Sequence, residues 1–178
     1  MMGLPALLTT LWLALGIALL ERATAGYQRR HQTISELGSR GAPRERTARY
    51  ALFLPVGVAT GLYGIGWVAT GDWPAALLGS SLAIGYLSAA LCPADPGSPL
   101  GGSTTNRLHN LGGMIMYLGG ALGLLLATGQ KPFTLSVAVV LILMIPALAP
   151  ADPTGHRGHI QRLMEALLFI QFCRFSLG

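Results

Sequence analysis

The residues of this 178-residue chain with chemistry to offer are few, and they are grouped. Four histidines (His31, His109, His156 and His159) and the carboxylates Glu36, Asp95 and Asp152 lie between apolar stretches or at their edges, while Glu165 sits well inside one. Carboxylates beside histidines are the material of general acid–base catalysis. Glu36, Asp95, His109, Asp152 and His159 are therefore the candidate acids and bases. Ser35, Arg107, Arg162 and Glu165 are the candidates for holding a substrate, because arginine suits an anionic head group such as phosphate.

Each candidate has a plainer alternative. Asp95 and Asp152 each precede a proline, in Pro93-Ala94-Asp95-Pro96 and Pro150-Ala151-Asp152-Pro153. A residue before proline is pushed out of the helical region, so each aspartate ends a helix and can accept the first amides of the next. Arg162 and Glu165 are three apart on one helical face, which predicts an ion pair between them. Intramembrane carboxylates usually face the bundle interior with a partner, so a proton-handling role for Glu165 weighs equally. His156 and His159, joined by His109 or Asp95, could ligate zinc, but no HExxH or paired-cysteine motif supports a metal. No other cofactor is required by the residues.

The elements that position these groups are apolar. Of the chain, 52% is hydrophobic and 11% charged. A soluble domain carries about a quarter charged residues, so this composition belongs in a membrane. Six stretches approach the roughly 20 apolar residues that a spanning helix needs: about 4–20, 50–70, 73–91, 108–128, 133–148 and 160–177. The expected fold is all-α, a single polytopic domain over 1–178 with six transmembrane helices in one compact bundle. Ala23-Thr24-Ala25 resembles a signal-peptide cleavage site, but no basic residue precedes the apolar run, so the first stretch is read as a membrane helix.

Basic residues set the orientation. Arg22, Arg29, Arg30, Arg40, Arg44, Arg46, Arg49, Arg107, Arg157 and Arg162 fall on one side of such a bundle, and only Lys131 and Arg174 on the other. The positive-inside rule then places loops 21–49, 92–107 and 149–159 in the cytoplasm, with both termini outside the inner membrane. The same asymmetry accounts for the net charge of +5 without nucleic acid. Cys92 and Cys173 fall near opposite membrane faces, which argues against a disulfide.

A repeat underlies the arrangement. Two units run helix, Pro-Ala-Asp-Pro turn, Arg-x-His (Arg107-Leu108-His109 and Arg157-Gly158-His159) and helix. The bundle thus reads as repeated two-helix units. Gly57-xxx-Gly61 and Gly119-xxx-Gly123 let helices approach closely, within one bundle or in a homo-oligomer. Pro55 and Pro146 are expected to kink their spans.

Three motifs in order resemble a prokaryotic membrane family catalogued as domain of unknown function nine-nine-eight. They are Ile34-Ser35-Glu36-Leu37-Gly38, then Cys92-Pro93-Ala94-Asp95 with His109, then Gly158-His159-Ile160-Gln161-Arg162. The resemblance covers nearly the whole chain and implies six helices; it implies little about activity. The polar cluster at one end of an apolar bundle favours a membrane enzyme acting on a lipidic or isoprenoid substrate, by hydrolysis or proton-initiated cyclisation. A small transporter with a proton-coupled path through Glu165, and a lipid-sensing accessory subunit, are the alternatives. Membrane lipids and a hydrophobic small molecule are the expected partners.

Overall fold

The computed structural model describes residues 3–127, 132–149 and 155–177. The described residues form six α-helices: α1 (Gly3–Ala23), α2 (Leu54–Thr70), α3 (Trp73–Leu91), α4 (Thr104–Leu126), α5 (Pro132–Met144) and α6 (Arg157–Leu177). A π-helical segment, Thr47–Phe53, leads directly into α2, and short 3-10 turns occupy Ile34–Gly38 and Ile145–Leu148. Four helices, Gly3–Ala23, Thr47–Thr70, Trp73–Leu91 and Thr104–Leu126, are long and apolar enough to cross a membrane. Their outward faces are apolar as well. Leu8, Leu15 and Leu19 on α1 and Leu62 and Ile65 on α2 are all more than half exposed. Exposed apolar area of that extent needs a non-aqueous neighbour. The chain is a helical integral membrane protein.

The remaining two helices depart from that pattern for physical reasons. The apolar stretch of α5 with its 3-10 turn is shorter, Pro132–Leu148. Pro146 lacks an amide hydrogen to continue the α-helical ladder, and the chain tightens there into the turn. α6 has 21 residues but carries Arg157, Arg162, Glu165 and Arg174. Its apolar stripe is nonetheless complete: Met164, Leu168 and Phe172 are fully buried, at the four-residue spacing of one helical face. Phe172 meets Tyr63 at 4.9 Å and Trp67 at 5.7 Å between ring centroids, and Phe169 meets Tyr86 at 5.8 Å. These edge-on contacts tie α6 to α2 and α3.

α2, α3 and α4 pack most closely, and glycine makes this possible. A Cβ on Gly57 would lie 2.9 Å from the Leu87 amide nitrogen, and one on Gly123 would lie 2.8 Å from the Pro74 carbonyl. Both small-residue motifs are thus used inside the bundle. Pro55 also has a visible consequence. It cannot donate to the carbonyl of Ala51, four residues earlier, and the Trp12 indole N–H on α1 donates there instead, at 3.1 Å. Trp12→Phe should therefore destabilise the protein by about 1 kcal/mol, the net worth of one such bond. A denaturant titration in detergent micelles measures it, and an unchanged midpoint would show that lipid or water serves that carbonyl equally well.

Candidate functional site

The loop after α1 folds back over one end of the bundle, where α6 anchors it. Arg162 is the hub. Its guanidinium donates to Glu21 at 2.9 Å through Nε and again through Nη2, to the Tyr27 hydroxyl at 2.7 Å, and to the carbonyls of Arg29 and Gln32 at 3.0 Å each. Arg29 Nε adds a second cation to Glu21, at 2.8 Å. The expected Arg162–Glu165 pair is therefore replaced by a pair across 141 residues. A side chain rooted near the end of α6 can reach the end of α1, whereas Glu165 lies one turn deeper. Burial pushes the Tyr27 hydroxyl up to about 12, so it stays protonated and donates to the Gln32 and Thr33 carbonyls.

Two further contacts seat the loop. Gln161 Oε1 accepts the Ile34 amide hydrogen at 2.5 Å, and the Gly158 amide donates to the Arg30 carbonyl at 3.0 Å. The 3-10 turn Ile34–Gly38 then buries Ile34 and Leu37. Glu36 serves this turn. Its Oε2 accepts from the Thr33 amide at 2.6 Å, the Thr33 hydroxyl at 2.8 Å and Arg157 Nη2 at 3.1 Å. This is a capping box, closed from outside by an arginine.

Asp95 has a similar office in the loop between α3 and α4. It accepts from the Ser103 amide at 2.7 Å and the Ser103 hydroxyl at 2.8 Å, with Arg40 at 3.8 Å. Those two bonds to Ser103 hold its carboxyl below the usual carboxylate range, so it remains ionised. Asn106, fully buried, braces the same loop by donating to the Pro99 and Gly101 carbonyls. Both Glu36 and Asp95 thus hold loop backbone in place. Asp152 lies outside the described residues.

The groups that face open space are different ones. His109, buried on α4, places Nδ1 3.0 Å from the Cys92 carbonyl. A carbonyl only accepts, so Nδ1 carries a proton, and in the neutral ring Nε2 is the unprotonated nitrogen. His109 and Ser35 line two adjoining cavities together with Gly113, Tyr117 and Gln161. The smaller, about 50 Å³, reaches Tyr86 and Glu165. The larger, about 300 Å³, extends past Thr33, Ser98 and Arg157 to the apolar side chains of Leu100, Met114, Ile145 and Leu148. Its volume is at the lower end of the range for small-molecule sites.

Glu165 closes the inner end. Tyr86 donates to one carboxylate oxygen at 2.6 Å and Tyr117 to the other at 3.0 Å, and all three side chains are buried. Glu165 also borders an apolar groove of about 570 Å³ between α1 and α6, whose ends carry Glu21, Arg29 and Arg162 at one and Arg174 near the other. Arg107 and His159 are exposed and line neither cavity. The His156 and His159 rings lie 6.5 Å apart, and among the described residues no three His, Cys, Asp or Glu side chains converge as a metal site requires.

The motif-bearing segments thus form one structure, and comparison with known families gives it a place. The model of the family described as Protein of unknown function (DUF998) matches residues 7–173, nearly the whole chain. The chain belongs to the DUF998 family. No curated protein and no solved structure matches it. In this DUF998 protein the Ile34–Gly38 box is the loop's inserted turn. The Gly158-x-x-Gln161-Arg162 run is the platform that receives it, with each of the three residues touching loop backbone.

Among the cavity residues that were not site candidates from the sequence of this DUF998 chain are Tyr86, Tyr117, Ser98 and Arg157. A tyrosine in an apolar span is unremarkable by itself. The usable signal was Glu165, because a carboxylate at that depth needs donors from neighbouring helices, and in-span hydroxyls are what such helices offer.

Proposed function

We propose that the protein is a six-span inner-membrane enzyme that hydrolyses a lipidic substrate, with the loops after α1, α3 and α5 in the cytoplasm. The observation that carries the reading is the contact of His109 Nδ1 with the Cys92 carbonyl, which leaves Nε2 of the neutral ring as an acceptor on a residue that lines a cavity with one polar and one apolar end. That arrangement suits a general base better than the acid a proton-initiated cyclisation needs. His109 Nε2 takes a proton from water, whose oxygen bonds to the electrophilic centre of an ester. The imidazolium returns the proton to the departing oxygen. Ser35, Tyr117 and Gln161 orient the polar end of the substrate, and Glu165 fixes Tyr117. The basic asymmetry of the loops supports the orientation.

His109→Gln keeps a hydrogen-bonding side chain but supplies no base. It should lower turnover of a reconstituted total lipid extract by about 100-fold or more, read by mass spectrometry of the products. Equal turnover would remove His109 from the chemistry. A second reading, a proton-coupled path, draws on one observation: Glu165 borders both the inner cavity and the α1–α6 groove. Vesicle flux sensitive to Glu165→Gln, with no lipid converted by the wild type, would favour it.

A further inference from the structure

Two residues that line the larger cavity each carry a buried polar atom that no protein group satisfies, Arg157 Nε and Ser98 Oγ. Arg157 is 8% exposed. Its Nη1 and Nη2 approach the Gly97 carbonyl at 3.3 Å each, and Nη2 also meets Glu36 at 3.1 Å, while Nε has nothing. Buried donors are nearly always paired, so two orphans on residues that line one cavity need an explanation. Ser98 adds another. Its φ of +46° is the only positive value at a non-glycine among the described residues. Glycine would adopt that backbone freely, so the hydroxyl is what the serine contributes there.

The rest of the lining completes the description of a ligand. Ser35 brings a further hydroxyl, 3.1 Å from the Thr33 hydroxyl, and His109 a ring nitrogen. The Glu36 charge is already met by Thr33 and Arg157. Away from this polar end the walls are Leu100, Met114, Ile145, Pro146 and Leu148. A donor-rich end and an apolar end call for an amphiphile with an acceptor-rich head.

We propose that the cavity binds a lipid through an oxyanion head group, a phosphate, which receives Arg157 Nε–H and the Ser98 hydroxyl while the tail lies along the α4 and Ile145–Leu148 wall. This rests on the reading of the cavity as the substrate site and names the class of substrate. A guanidinium edge and a hydroxyl are the usual partners of phosphate oxygens, and three acceptor oxygens match the donors available.

The test is binding of dodecyl phosphate, dodecanol and inorganic phosphate to the purified protein in micelles, measured by calorimetry. Dodecyl phosphate should bind at least about tenfold tighter than either comparator. Ser98→Ala and Arg157→Lys should each weaken it about tenfold or more, since each removes a donor to a charged acceptor. Lysine keeps the charge of Arg157 but not the Nε–H. Ser98→Ala removes only an unpaired hydroxyl, so it stays informative if Arg157→Lys fails to fold. Equal affinity for dodecanol, or no effect of Ser98→Ala, would overturn the proposal. Inorganic phosphate binding as tightly as dodecyl phosphate would overturn its lipid part. Loss of turnover in His109→Gln without any phosphate preference would sink this inference and leave the hydrolytic reading standing. A phosphate preference with turnover indifferent to His109 would do the reverse.

Discussion

Arg162→Ala is expected to destabilise the protein by about 3–5 kcal/mol, the range for removing one partner of a buried ion pair. The pair is well enclosed, with the Arg162 and Glu21 side chains 13% and 5% exposed. Removing the guanidinium takes away both donors to Glu21, the donor to Tyr27 and those to the Arg29 and Gln32 carbonyls. Arg29 still reaches the other Glu21 oxygen, Oε2, through Nε, but it is largely exposed and does not replace the two donors that Arg162 places on Oε1. The loss should therefore fall toward the lower end of that range. Arg162→Lys should recover only part of it, because a single ammonium cannot reach Glu21 Oε1, the Tyr27 hydroxyl and the two loop carbonyls together. Two measurements check this. Denaturant titration in micelles reports the total, and limited trypsin digestion reports the location. A loop freed from α6 should be cut at Arg29, Arg30 and Arg40 in the variant long before the helices are. Normal stability with normal protection would mean that Glu21 and the loop are held by something other than Arg162.

The loop contacts also show how much of this protein could be read along the chain. The third helix, expected at 73–91, is α3, Trp73–Leu91, because Asp72 caps its start and the Cys92-Pro93 step ends it. Such signals are local, and local signals are legible. α4 begins at Thr104, four residues before the expected start, since Ser103 supplies the cap ahead of the first apolar residue. Long-range pairing is another matter. Arg162 and Glu165 are ideally spaced for each other, and nothing near them in sequence points to Glu21 or Tyr86. The sidedness of the polar groups was legible, and the structure brings those loops together through contacts such as Arg40 to Thr105 and Arg157 to Glu36. Division of labour within the cluster was not. Glu36 and Asp95 have the residue types of catalysts, but Glu36 Oε2 and both oxygens of Asp95 accept from loop amides and hydroxyls. His109 differs only in that a carbonyl occupies one ring nitrogen and leaves the other over a cavity. That distinction depends on where the Cys92 carbonyl points, which composition and spacing do not encode.

Gly158→Ala should be the second severe substitution, and it separates the loop's position from its charges. A Cβ at this residue would lie 2.3 Å from the Arg29 carbonyl, 2.4 Å from the Gln32 carbonyl and 3.0 Å from the Arg30 carbonyl. All three are backbone atoms, so no side chain can rotate away and the loop itself must lift. Alanine ordinarily favours a helix over glycine by about 1 kcal/mol. Overpacking against fixed backbone costs about 1–3 kcal/mol or more, so the sum should be destabilising. The bond from the Gly158 amide to the Arg30 carbonyl would lengthen, and the Ile34 amide would be drawn from Gln161. Ser35, one residue further on, would then leave the two cavities it lines. The expected signature is a loss of turnover or ligand binding larger than the loss of stability, because the six helices can persist while the inserted turn is displaced. Gly101→Ala is the control: a Cβ there meets nothing within 4 Å, and its effect should stay within about 0.5 kcal/mol. If Gly158→Ala bound dodecyl phosphate as the wild type does, the turn at Ile34–Gly38 would not be part of the binding site, and the role assigned to Ser35 would fall with it.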